Sequence, residues 1–293
     1  MKILFIGPTR IGDTILSSSI INFYLQKYDD CNFSIITSPF AKNLYMKMPA
    51  LAEVLVVNKK KFGFHWLDIL KFTIFKKWDL VIDLRSSALS YLLFAKCKKI
   101  FKGNNNFHKI IQFQKFLNTK QKLSPKIWYS FEDSSKNLKK ILNSKPLIAV
   151  APYSNWFKKD WSIKNYKTLL ENKIFKNHTI VLAGINKDVR NKKEFNDFLN
   201  SPNLNIINLF DLSLREMVPI FERCDFFIGS DSGLMHLSAS TNCKTFALFG
   251  PTNDSVYAPW GDHKVIRSDK NDNDYGLEKL SVEKVLNDIK DYL

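Results

Sequence analysis

FFIGSDSGLMH, residues 226–236, joins a strand to a helix with almost nothing between them. The run that ends at Gly229 carries no charge beyond its first residue, the pattern of a strand covered on both faces. Asp231-Ser232-Gly233 then turns directly into a helix. A strand that feeds a helix this abruptly is half of a parallel βαβ unit. The same join stands at the start of the chain. Lys2–Ile6 is a short apolar run ending in Gly7, and Thr14–Tyr28 carries Leu16, Ile20, Phe23 and Lys27 at helical spacing. It recurs a third time at Leu147–Ala151 (LIAVA).

Outward from these joins, strands and helices alternate. Phe33–Thr37, Val54–Val57 and Leu80–Leu84 read as strands, with a helix over Ser87–Ala95. The Lys/Asn-rich segment from Lys96 to Leu123 gives no clear pattern. A helix ends around Leu138–Pro146. The second run then holds strand Leu147–Ala151, helix Ile163–Asn172, strand Thr179–Ala183, helix Lys187–Leu199 and strand Asn205–Asn208. Ser213 and Glu216 form a capping box for the next helix, with Pro219 inside its first turns. Strand Asp225–Gly229, a helix from Gly233 and strand Lys244–Phe249 follow. Alternation of this kind means parallel sheets with helices on both faces, and two successive runs mean two doubly wound α/β domains. The boundary is expected near residue 145, and ligands beyond the carboxyl ends of the strands.

The chain of 293 residues is 45% apolar, enough to bury a real core. No apolar stretch is long enough to span a bilayer. The first apolar run is too short for a signal peptide and reads as a strand. Cys31, Cys97, Cys224 and Cys243 are scattered without C-x-x-C spacing, which argues against structural zinc and disulfides and for a reducing, cytoplasmic home. The net charge of +16 is confined to one half. Residues 1–145 hold 25 Lys and Arg against 9 Asp and Glu, whereas residues 146–293 hold 19 of each. Coding bias explains many lysines but not their confinement. A basic surface would attract phosphate-rich partners such as nucleic acid, an anionic membrane or a phosphorylated glycolipid. The scarcity of arginine speaks against base-edge reading of nucleic acid.

Three loops at strand ends carry candidate residues. Asp13 is expected to open the first helix, where both a helix cap and a working carboxylate fit. Gly7 and Gly12 are five apart, so no dinucleotide fingerprint is present, and no Gly-Lys-Ser/Thr ending makes a P-loop. Residues 152–161 (PYSNWFKKDW) offer a hydroxyl, an amide and lysines that could hold phosphate oxygens. The helix start at Asp231-Ser232-Gly233 suits a diphosphate through its N–H groups and dipole, with Gly233 letting a ligand approach the backbone. Asp231, Ser232 and His236 could be read as a hydrolase set, but no G-x-S-x-G elbow surrounds Ser232. His236 also fits a satisfied core histidine.

Together these segments resemble glycosyltransferase family 9, the ADP-heptose:lipopolysaccharide heptosyltransferases. The resemblance spans nearly the whole chain: KILFIGPTRIGDTIL at Lys2–Leu16, DLVIDLR at Asp79–Arg85, KKDW at Lys158–Trp161, LSLREM at Leu212–Met217, GSDSGLMHL at Gly229–Leu237, and ALFGPTN at Ala247–Asn253, with PWG at Pro259–Gly261. It implies a GT-B architecture of two facing Rossmann-like domains. Residues 1–145 would take the acceptor and residues 146–280 the nucleotide sugar, with residues 281–293 forming a cross-over helix that returns to the N-terminal domain. The chemistry it implies is inverting transfer without an obligatory metal or cofactor, with an ADP-sugar as donor.

The resemblance also assigns roles. Asp13 matches the general base that deprotonates the acceptor hydroxyl, within an acceptor-side loop of Thr9, Arg10 and Gly12. Lys159 matches the lysine that neutralises the departing diphosphate. Ser154 and Asn155 match phosphate-binding hydroxyl positions, where Asn155 departs from the usual Thr or Ser. Asp231 matches an aspartate that binds sugar hydroxyls. Ser232, Gly233 and Leu234 would present N–H groups to the diphosphate, with Ser232 in place of the commoner Thr and His236 beside them on the donor side. Leu212 aligns with a backbone contact to adenine. Asn186 stands where some members have a ribose-binding Glu. The implied partners are a nucleotide sugar, a phosphorylated glycolipid and the inner face of an anionic cytoplasmic membrane, without nucleic acid. A sugar-nucleotide epimerase of related fold and a nucleic-acid-binding module are the competing readings.

Overall fold

The computed structural model describes residues 1–58, 61–130, 139, 141, 146–267 and 276–292, so the helix end expected around Leu138–Pro146 lies largely outside the described residues. The chain divides into two compact units, Met1–Trp128 and Tyr129–Leu293. The division falls earlier than residue 145. Tyr129 already belongs to the second unit, where its hydroxyl donates to the Glu222 carboxylate.

In the first unit, β1 (Lys2–Ile6), β2 (Asn32–Thr37), β3 (Leu51–Val56), β4 (Trp78–Asp83) and β5 (Ala95–Ile100) form one parallel sheet in the order β3-β2-β1-β4-β5. Ile6 lies opposite Ile36 on one side and Asp83 on the other. The second unit repeats the plan with β6 (Leu147–Ala151), β7 (Thr179–Leu182), β8 (Asn205–Asn208), β9 (Phe226–Ser230), β10 (Lys244–Phe249) and β11 (His263–Arg267), in the order β11-β10-β9-β6-β7-β8. In both sheets the chain winds outward from a central strand and then returns to that strand's other side. In open α/β sheets ligands bind where the direction reverses, and that point lies beyond the carboxyl ends of β1 and β4 in one unit and of β6 and β9 in the other. The central strands are apolar on both faces and fully buried, as in Ile3–Ile6 and Leu147–Val150.

The two strands without a sequence signal, β5 and β11, are edge strands. Their sequences, AKCKKI and HKVIR, carry the charges that keep a sheet edge from pairing with another chain, and those charges break the apolar run. The helix expected over Ser87–Ala95 shrinks to one turn at Leu89–Leu92, because Ala95 already enters β5. The capping box at Ser213 and Glu216 forms as expected, and Pro219 sits inside the helix it opens.

The first helix, α1 (Ile11–Lys27), begins two residues before Asp13. Arg10 occupies its N-cap, so Asp13 lies in the first turn and does not cap the helix. The last helix differs more. Val282–Lys290 belongs to the second unit, not the first. Val285 and Ile289 are fully buried in that unit's core with Trp161, Tyr166 and Leu169, and the Trp161 indole donates to the Leu280 carbonyl at 2.8 Å. Burying side chains of this size stabilises by roughly 1.5–3 kcal/mol each. The apolar stripe of the helix therefore finds its partner close at hand.

Candidate functional site

In the second unit, the loop after β6 and the loop after β9 meet. Ala151 lies opposite Gly229, where a Cβ would fall 3.1 Å from the Ala151 carbonyl oxygen and 2.6 Å from the Phe227 ring. Glycine is the residue that lets these strands and the ring pack together. Beyond the strand ends, the Lys159 ammonium donates to Asp231 Oδ2 at 2.6 Å. The pair is mostly buried, with side-chain exposures of 17% and 9%. An ion pair taken out of water is costly to break from one side, by about 3–5 kcal/mol. His236 is buried beside it, its Nε2 4.0 Å from Asp231 Oδ1, too far for a hydrogen bond. Ser232 caps the helix Gly233–Ala239, its hydroxyl accepting from the Met235 N–H at 3.4 Å. Leu234 is half-buried beside this cap.

The loop bearing Lys159 is held by Asp160 and Arg190, neither of them among the candidate site residues. Asp160 Oδ1 accepts the Ser154 N–H (2.7 Å) and its Oδ2 accepts Arg190 Nε (3.1 Å), while Arg190 also donates to the Ser154 carbonyl at 2.6 Å. Burial lifts the Asp160 carboxyl above its ordinary value, against the opposing pull of Ser154 and Arg190. The Ser154 hydroxyl faces inward, against Asp160 Oδ1 and the Trp156 carbonyl, both at 2.8 Å. It shapes the loop, whereas Asn155 is exposed. KKDW names Asp160, but Arg190 has no local signal because its partners lie 30 and 36 residues away.

The next two strands supply Asn186 and Leu212. Asn186 donates its backbone N–H to Asp211 Oδ1 at 2.9 Å and its amide to Oδ2. Asp211 adopts φ +64°, in the left-handed region uncommon outside glycine, and its N–H bonds the Gly184 carbonyl at 2.9 Å. Asn186 is thus held against a carboxylate at 211, directly before Leu212.

In the first unit, Gly7 closes β1 by donating to the Ile36 carbonyl at 2.9 Å. Thr9 is tied through its carbonyl to the Ser38 hydroxyl at 3.0 Å, and the Thr14 side chain returns to the Arg10 carbonyl at 2.9 Å. This fixes the loop of Thr9, Arg10 and Gly12, with Asp13 half-buried in the first turn that follows. Asp13 and Lys159 fall in different units.

A family model for glycosyltransferase family 9 (heptosyltransferase) matches residues 105–286, more than half of the chain. The chain belongs to glycosyltransferase family 9. Within the family it is similar to lipooligosaccharide heptosyltransferase 2 of Campylobacter jejuni, 26% identical over 274 residues that cover 89% of this chain and 84% of that one. The corresponding enzyme of Haemophilus influenzae is 24% identical, covering 91% and 88%. Among solved structures, a glycosyltransferase family 9 protein from Veillonella parvula superposes with a TM-score of 0.81 at 17% identity, covering 99% of this chain and 96% of that one. E. coli ADP-heptose lps heptosyltransferase II superposes at 0.76 with 20% identity, covering 100% and 98%. These likenesses give the α/β, GT-B-like fold of two parallel sheets, and membership of the family makes the chain a glycosyltransferase.

Proposed function

We propose that this glycosyltransferase moves a heptose from an ADP-activated sugar to a phosphorylated lipooligosaccharide acceptor, with inversion at the anomeric carbon. The observation that carries the reading is the ion pair of Lys159 and Asp231 at the switch point of the second sheet. A diphosphate brings negative charge that competes with Asp231 for Lys159. The ammonium then faces the leaving oxygen, and Asp231 is released to accept hydroxyls of the sugar. Leaving-group charge develops in the transition state, where a fixed cation is worth most.

In the reaction, the Asp13 carboxylate takes the proton of the acceptor hydroxyl. The freed oxygen electron pair attacks the anomeric carbon from the face opposite the diphosphate. The carbon–oxygen bond to the diphosphate breaks, and ADP departs with that electron pair. Ser232, Gly233 and Leu234 offer helix-start N–H groups to the diphosphate. Asn186, Asp211 and Leu212 support a nucleoside subsite, with the Asp211 carboxylate suited to the ribose diol.

The relatives whose names include lipooligosaccharide heptosyltransferase 2 support the acceptor class. The basic first half supports docking on the anionic inner face of the cytoplasmic membrane. So do exposed apolar side chains among its lysines, including Phe75 and Phe94. Among the described residues no helix is long and apolar enough to cross a membrane.

The test is a transfer assay with ADP-heptose and heptose-free lipooligosaccharide, read by the mass of the product and release of ADP. A gain of one heptose that requires the acceptor supports the reading. Conversion of the nucleotide sugar without acceptor would favour the epimerase, and salt-sensitive binding of nucleic acid without sugar-nucleotide binding would favour the third reading.

A further inference from the structure

In the second unit both switch-point loops contribute to the site. In the first unit only the loop after β1 has a role so far. The loop after β4, which carries the end of DLVIDLR, has none, although Leu84 donates to the Ile6 carbonyl at 3.0 Å and so leaves the sheet beside the loop that leads to Asp13.

That loop is built around a buried carboxylate. Asp83 is fully buried. Its Oδ1 accepts the Arg85 N–H at 2.7 Å, and its Oδ2 accepts the Ser87 N–H (2.7 Å) and the hydroxyls of Ser87 and Ser90 (both 2.6 Å). Four donors satisfy the carboxylate and pin the backbone on both sides of Ser86, which takes φ +53°. Arg85 is held in the middle of this turn. Its guanidinium lies over the Trp66 ring, 5.3 Å from the centroid, where cation–π attraction fixes its plane. It is half-buried, and among the described residues no carboxylate pairs with it and no acceptor takes its N–H groups. Burial draws its pKa down while the charge of Asp83 draws it up, and a guanidinium stays protonated.

A pinned, desolvated and stacked guanidinium with its fork unengaged by any carboxylate is arranged to receive an anion. Its fork matches phosphate bidentately. We propose that Arg85 binds a phosphate group of the acceptor, and that Asp83 acts as a positioning residue by fixing the turn. The proposal rests on the placement of the acceptor in the first unit.

The test titrates the full chain, with and without ADP, against deacylated heptose-free lipooligosaccharide before and after phosphatase treatment. The variants are Arg85→Met, which keeps the stem on Trp66, and Arg85→Lys. Loss of one charge-assisted interaction corresponds to roughly tenfold to a hundredfold in affinity. Phosphatase treatment should weaken the parent by that factor. Arg85→Met should lose the same factor on the intact oligosaccharide and nothing further on the treated one. Arg85→Lys should recover part of it, with ADP affinity and melting temperature unchanged throughout. Equal binding of both oligosaccharides by the parent would overturn the proposal, as would an Arg85→Met loss that is the same on both. Failure of the transferase reading shows separately, as a parent that does not bind ADP.

Discussion

The two sheets are wound alike, but their switch points differ in how charge is held. Beyond β6 and β9, Lys159 and Asp231 neutralise each other at 2.6 Å, and Asp160 and Arg190 do the same one step behind them. Beyond β1 and β4, the buried carboxylate of Asp83 is spent on N–H and hydroxyl donors, and among the described residues no acceptor takes the guanidinium N–H groups of Arg85. The second switch point holds its cation in an internal pair, and under the proposed function a ligand with stronger negative charge displaces Asp231 from it. The first presents its cation from the outset, on the half of the chain that carries the whole excess of positive charge. An ion pair that must be exchanged favours a doubly charged ligand such as a diphosphate over a single anion. A standing cation favours any anion that fits its fork.

Asp13→Asn tests this contrast most severely. The residue lies in the first turn of α1, where its charge against the helix dipole contributes about 0.3–1 kcal/mol, so the substitution should lower the melting temperature by a few degrees at most. The transfer rate should fall by about 10²–10⁴, the usual share of a general base, with ADP affinity intact. Transfer at the parent rate by a folded variant would remove the first switch point from the chemistry. Lys159→Ala should lower turnover about a hundredfold, the scale of one lost transition-state donor. It also leaves Asp231 buried without its partner, so its melting temperature should fall, and ADP should no longer raise it as far as in the parent. Arg190→Ala should weaken ADP binding by roughly tenfold, the scale of one charged hydrogen bond, through the loosened Ser154–Lys159 loop. Acceptor binding measured without ADP should be unaffected, and a loss there would dissolve the division of labour between the units. The smallest effect is a labelling difference. Cys97 is exposed on β5, whereas burial pushes the Cys243 thiol up to about 12. Iodoacetamide at neutral pH should therefore modify Cys97 in the first unit well before Cys243 in the second.

Much of the architecture was legible because it is written in local pattern. A strand buried on both faces needs an apolar run, and Lys2–Ile6, Leu147–Ala151 and Lys244–Phe249 form over those very residues. The two missed strands share a cause. β5 and β11 lie at sheet edges, where exposure replaces apolar residues with lysine, histidine and arginine. The last helix was expected only from the resemblance, as one returning to the first unit, and its stripe of Val282, Val285, Leu286 and Ile289 packs instead in the core of the second. In the site, the residue types at strand ends were readable, and their partners were not. Ser154 carries a hydroxyl fit for phosphate, yet its side chain turns to Asp160.

The sequence by itself determined two successive parallel α/β units, the loops that end their central strands, and the imbalance of charge between halves. Periodicity and composition act over a few residues, so a single chain displays them without folding. Tertiary structure alone decided that Lys159 meets Asp231 across 72 residues, that Arg190 clamps the loop that carries Lys159, and that Asp83 is spent on its own turn while the Arg85 guanidinium lies over Trp66. Each of those contacts depends on which strands become neighbours and in what register, and that is fixed only when the sheet closes at its switch point.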